Sequence, residues 1–151
     1  MKILKAKRLT AALELCTGKL ESAADKLRLA RLSAGLLQRE LAEKVGIDRS
    51  TLLNYENGQI PEERMEVSWL VKIALECGRD KYFCCNPYHI FLLENPAAQI
   101  KAYRKRFDLT QKAFAKKLGI WDTTVKRWEQ GKNKPPVYVW ELVSDLKPIE
   151  N

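Results

Sequence analysis

Residues 100–134 carry eleven Lys/Arg and only three Asp/Glu, a local balance of +8 that equals the formal net charge of the whole chain. The stretch 27–61 carries five against four, and the remaining segments sum to −1. Charge concentrated on one short segment suits contact with phosphates, the alternative being a merely solubilising basic face. Lys126 and Arg127 lie inside it, with Lys112 before them and Lys132 and Lys134 after. Other chemistries find no support. The single histidine, His89, has no serine or cysteine at a recognisable nucleophile spacing, and no glycine-rich phosphate loop is present. Cys77, Cys84, Cys85 and His89 could in principle hold zinc. Adjacent Cys84-Cys85, however, lacks the spacing that lets two thiolates meet one metal. No metal, no cofactor and no enzymatic activity are therefore expected, and Cys16 and the other thiols should be free in a reducing cytoplasm.

The elements that must present these cations follow from local patterning. Thr110 can cap a helix on which Phe114, Ala115 and Leu118 share one apolar face. Gly119 ends that helix, because glycine takes the left-handed backbone angle cheaply. A second helix runs from about Asp122, with Val125 and Trp128 inward, Lys126 and Arg127 outward, and Gly131 closing it. Two helices across a glycine turn is a layout used to read DNA.

The same layout occurs 73 residues upstream without a gap. Identities fall at Leu36/Leu109, Gln38/Gln111, Ala42/Ala115, Lys44/Lys117, Gly46/Gly119, Ile47/Ile120, Thr51/Thr124, Glu56/Glu129 and Gly58/Gly131. Helix-forming composition alone would not place glycines twelve residues apart in both copies, so this is an internal repeat. Both copies resemble the repressor/Cro (XRE-type) helix-turn-helix of phage and bacterial regulators. The shared pattern runs arginine, hydroxyl-glutamine, apolar-alanine, glycine, then glutamate two residues before a closing glycine. The copies depart from it at Leu37, Asp48 and Trp121, where the family carries hydroxyl residues.

The resemblance implies an all-α fold of two lambda-repressor-like bundles in tandem. It implies structural ion pairs of Arg31 with Glu56 and of Arg104 with Glu129. The family's base-reading positions fall on Arg49, Ser50 and Asn54 in copy one, and on Asp122, Thr123 and Arg127 in copy two, with Lys126 beside them. Arg49 or Arg127 could grip guanine O6 and N7, and Asn54 could pair with adenine. Asp122 could cap its helix, accept from cytosine N4 or orient Arg127, with capping the preferred reading. Gln38 and Gln111 open helix 2, where this family meets phosphate. Lys112, Lys132 and Lys134 are further phosphate candidates.

The repeat divides 151 residues into an N-terminal helical extension over 1–20, a first domain over 21–95 and a second over 96–151. The extension carries a broken stripe of Ile3, Leu9, Leu13 and Cys16, and either packs on the first copy or binds a partner or second subunit. In the first domain, Ala24, Leu27 and Ala34 should face inward from helix 1 (21–34). A helix over 62–77 should bury Met65, Trp69, Ile73 and Cys77. A proline-started fifth helix, Asn86 to Leu93, should complete that core, with His89 a packed histidine. In the second, helix 1 spans 97–107 and a final helix packs Val139, Trp140, Leu142, Val143 and Leu146 inward. This copy has no clear fifth helix and would have to borrow apolar cover from the first copy or from a second subunit. Leu53 is placed to pack on the N-terminal helix or to touch a thymine methyl. No uninterrupted run of 18 apolar residues spans a membrane, and no signal peptide or small-molecule site is evident. The expected function is sequence-specific binding of double-stranded DNA by a cytoplasmic bacterial or phage transcriptional regulator. One alternative is an adaptor or antitoxin-like protein in which only the second copy binds DNA. The other is an RNA-binding module, disfavoured because the A-form major groove is too narrow for a helix.

Overall fold

The computed structural model describes residues 22–146 and 148–149. The expected N-terminal extension therefore lies outside the described residues. Nine α-helices and no strand occur among the described residues. They form two units, one ending at Asn86 and the other beginning at Pro87.

In the first unit α1 (Ala23–Ser33), α2 (Gln38–Val45), α3 (Arg49–Glu56) and α4 (Val67–Glu76) surround a core of Leu27, Ala30, Leu41, Leu52, Tyr55, Met65, Leu70, Ile73 and Ala74. Helix α1 packs on α3 and α4, and α2 packs on both as well. Ser22 caps α1 by accepting from Asp25 N at 3.1 Å. Ala34, expected inside, is the exposed residue that follows α1. The expected helix over 62–77 is interrupted. Glu62–Arg64 forms one 3₁₀ turn, and α4 starts only at Val67, after an extended Met65. The hydroxyl of buried Tyr55 accepts from Glu66 N at 2.9 Å, occupying an amide at the start of α4.

The second unit holds α5 (Pro87–Leu93), α6 (Pro96–Arg106), α7 (Gln111–Leu118), α8 (Asp122–Glu129) and α9 (Val137–Asp145). Tyr88 and Phe91 of α5 join Ile100, Tyr103, Phe114, Val125, Trp128, Val139 and Val143 in one core. Here the structure departs from the expected assignment of 87–93 to the first domain, because α5 packs on α6 and α9. The apolar cover the second copy lacked thus comes from the segment just ahead of it. Tyr88 also donates its hydroxyl to Pro135 O at 2.7 Å. His89 is fully buried. Leu146, expected inside, ends α9 in the left-handed region and is exposed.

Gly46 and Gly119 end α2 and α7 at φ of 83° and 68°. A Cβ at either would meet nothing within 4 Å, so the backbone angle and not crowding selects glycine. The chain then turns at once: Ile47 N donates to Ala42 O at 3.1 Å, and Ile120 N to Ala115 O at 3.0 Å. These turns fix the angle at which α3 and α8 leave their predecessors.

Candidate nucleic-acid interface

In each unit an arginine and a glutamine converge on one carboxylate. Arg31 Nε lies 2.6 Å from Glu56 Oε1 and its Nη2 lies 2.9 Å from Oε2. Its Nη1 donates to Leu36 O at 3.0 Å, and Gln38 Nε2 donates to Glu56 Oε2 at 3.0 Å. The second unit repeats this atom for atom. Arg104 reaches Glu129 at 2.7 and 3.2 Å and Leu109 O at 2.8 Å, and Gln111 Nε2 reaches Glu129 Oε2 at 2.7 Å. The planar guanidinium fork matches the carboxylate with two parallel bonds. The first helix, the loop after it, the start of the second helix and the end of the third are thereby tied together.

The glutamines take a role that the resemblance did not imply. Gln38 Nε2 and Gln111 Nε2 each turn one donor inward to Glu56 and Glu129, and a carboxamide carries two N–H donors, so this bond is compatible with the phosphate contact that the resemblance implies. A carboxylate holding an arginine fork still has lone pairs to offer, and each glutamine, one helix away, fills one. In the first unit Arg28 Nη2 adds a bond to Glu56 O at 2.7 Å. The matching position in the second unit is Lys101, whose charge acts on Glu129. Burial pushes the Glu129 carboxyl up, but hydrogen bonds from Arg104 and Gln111, with the charge of Arg104, outweigh it and hold the group below its ordinary value.

Clamped at its C-terminal end, α8 buries Val125 and Trp128 and leaves Asp122, Thr123, Lys126 and Arg127 exposed. Asp122 is the first residue of the helix, and its Oδ1 accepts from Thr123 N at 2.9 Å. It answers an amide of the first turn, while the cap position itself belongs to Trp121. Beyond the helix, Lys132 N donates to Arg127 O at 2.9 Å, and Lys132 and Lys134 are exposed. The Lys134 ammonium lies 5.6 Å from the Tyr88 ring centroid, where the π face attracts it. Lys112 is exposed in the first turn of α7, whose cap is Thr110 Oγ1 accepting from Ala113 N at 3.0 Å.

The corresponding face of the first unit is built differently. Arg49 and Ser50 are exposed at the start of α3 and Asn54 is half-buried along it. Ser50 Oγ donates to Asp48, which lowers the Asp48 pKa. Leu37 has no side-chain acceptor, so α2 is capped only by the return bond from Leu37 N to Glu40 Oε2 at 2.7 Å. Leu37 and Leu53 are 41% and 37% exposed, apolar groups where the second unit has Thr110 and Lys126. An open cleft of about 430 Å³ lies between Arg31, Leu37, Gln38, Arg39 and Arg49.

The three described cysteines form no site of this kind. Cys84 and Cys85 are buried and Cys77 is half-buried, and burial pushes their thiols up to about 12, 11 and 11 respectively. Among the described residues no three His, Cys, Asp or Glu side chains are grouped to hold a metal.

The family model described as helix-turn-helix matches the chain twice, over residues 27–65 and 100–146, more than half of its length. The chain belongs to the helix-turn-helix family. Its two copies are of the XRE type, and the protein is an all-α tandem of DNA-binding helix-turn-helix domains. A curated relative, the type II methyltransferase M.SsoII of Shigella sonnei, is 47% identical over 47 residues, covering 29% of this chain. The match takes in only 12% of that enzyme's length. No solved structure matches the chain. No helix among the described residues is long and apolar enough to cross a membrane.

Proposed function

We propose that this helix-turn-helix protein binds double-stranded DNA sequence-specifically, as a bacterial or phage transcriptional regulator acting in the cytoplasm and without enzymatic activity of its own. Helix α8 enters the major groove, where each base pair shows a distinct pattern of donors and acceptors. The observation that carries this reading is the two-sided build of α8. One face is buried and its end is clamped by Arg104 and Gln111, so the other holds Asp122, Thr123, Lys126 and Arg127 toward solvent in fixed register. Arg127 holds guanine through two donors. Lys112, Lys132 and Lys134 neutralise phosphates, and Lys126 adds charge on the helix itself. The kinship with the methyltransferase is, on this reading, that of a DNA-handling module shared with an enzyme, since the common stretch is a small part of it.

The first unit adds specificity through Arg49, Ser50 and Asn54, while most of the affinity comes from the second. Its exposed Leu37 and Leu53 favour a second reading for this unit alone, as a surface for a protein partner. Selection of bound sequences from a random duplex library separates the possibilities. Two linked motifs are expected if both units read bases, and one motif if the first unit serves a partner. Enrichment of no duplex would overturn the assignment.

A further inference from the structure

Trp121 is the most exposed large apolar side chain among the described residues, at 80% of its free surface. It occupies the N-cap of α8 in extended conformation (φ −76°, ψ 142°), and its side chain makes no hydrogen bond to the first turn. A hydroxyl or carboxamide there would satisfy an open amide and stabilise the helix. The module uses such a cap one helix earlier, at Thr110. At the start of α8 the chain forgoes the cap and exposes an indole instead. The missing cap is shared with α2, α3, α4 and α9, so the feature particular to α8 is the indole exposed in its place.

What covers the indole follows from its surroundings. Asp122 and Thr123 come next in the chain, Lys126 and Arg127 stand on the same helix, and all four are exposed. A helix that exposes cations beyond this indole, in a stretch with a local balance of +8, suits a polyanion with an apolar feature better than a greasy protein surface. A recognition helix reaches base edges with its N-terminal residues. The apolar feature of a major-groove base edge is the C5 methyl of a pyrimidine, in thymine or in a methylated cytosine. We propose that Trp121 reads such a methyl and so selects sequence at one base pair, an inference that rests on α8 lying in the major groove.

The test uses the full chain and a duplex enriched from the random library, with each thymine replaced in turn by deoxyuridine or each cytosine by 5-methylcytosine. Losing one methyl from the contact should weaken wild-type binding about fourfold at a single thymine, or adding one should strengthen it about fourfold at a single cytosine. Trp121→Ser should bind the enriched duplex about tenfold or more weakly and lose that methyl dependence. The same variant should melt higher when free, because serine caps the helix. Opposite movements of affinity and stability separate a DNA contact from a folding defect. Undiminished affinity of Trp121→Ser, or wild-type indifference to every pyrimidine methyl, would overturn the proposal. So would a wild-type dimer that Trp121→Ser dissolves. Arg127→Ala on the same duplex keeps the two ideas apart: if it weakens binding and Trp121→Ser does not, α8 remains the reading helix and the methyl contact falls. If the wild type enriches no duplex, both fall.

Discussion

Glu56 and Glu129 are the side chains on which each unit's geometry depends. Each accepts two bonds from an arginine and one from a glutamine, at side-chain exposures of 1% and 5%. Removing either leaves a guanidinium that is itself nearly buried without its counter-charge. Glu56→Ala and Glu129→Ala should each cost roughly 3–5 kcal/mol, with Glu56 the larger, whereas exposed Glu141→Ala on α9 should change stability by less than about 0.5 kcal/mol. Asp108 would be a poor control, because its φ of 53° would strain an alanine. Thermal denaturation checks this, and equal losses at Glu129 and Glu141 would refute the clamp. The clamp also has a pH signature. A carboxyl whose folded pKa is depressed contributes stability above its unfolded value and loses it as pH falls through the folded one. For Glu129 the unfolded reference is the ordinary 4.5. Wild type should therefore lose, as pH falls below that ordinary value and through the depressed folded one, stability that Glu129→Gln never had. The three described thiols, pushed up to about 11 or 12, are protonated at neutral pH. They should react slowly with alkylating reagents until the protein is denatured, and a strong chelator should leave the helical signal unchanged.

At the scale of elements, the two units solve the same capping problem unequally. Thr110 caps α7 through its hydroxyl, whereas Leu37 leaves α2 with only the bond from its own amide to Glu40. Thr110→Ala should destabilise the second unit by about 1 kcal/mol, and Leu37→Thr should stabilise the first by about 0.5–1 kcal/mol. A Leu37→Thr variant that melts lower would show that Leu37 packs on something the cap bond cannot replace. The helix-turn-helix pairs were legible in the sequence because glycine, cap and apolar stripe all depend on near neighbours in the chain. Two kinds of information were not. An apolar segment such as 87–93 announces burial but not against which neighbour, and its Tyr88 and Phe91 complete the second core. Apolar residues at helix ends, Ala34 and Leu146, fit the stripe yet sit where the backbone has already turned. The inward turn of Gln38 and Gln111 was likewise hidden, since a glutamine at a helix start suits a phosphate as well as a carboxylate. Only the spatial meeting with Glu56 and Glu129 reveals the inward bond, which uses one of the two N–H donors of each amide.

At the scale of the whole molecule, the two domains share a fold and differ in charge. The stretch 100–134 holds the equivalent of the entire net charge, and 27–61 nearly none. If the second unit supplies most of the affinity, Arg127→Ala should cost roughly 1–3 kcal/mol on the preferred duplex and relax choice at one base pair. Arg49→Ala should leave binding to random duplex almost intact. The most direct measurement is a salt titration of the full chain on random duplex. Each phosphate contact contributes about −0.9 to the slope of log affinity against log salt. Lys132→Ala with Lys134→Ala should make that slope shallower by up to about 1.8, weakening all sequences alike, while Arg39→Ala with Arg49→Ala should leave it nearly unchanged. A larger loss of slope from the first-unit pair than from the second would contradict the assignment of DNA affinity to the second helix-turn-helix.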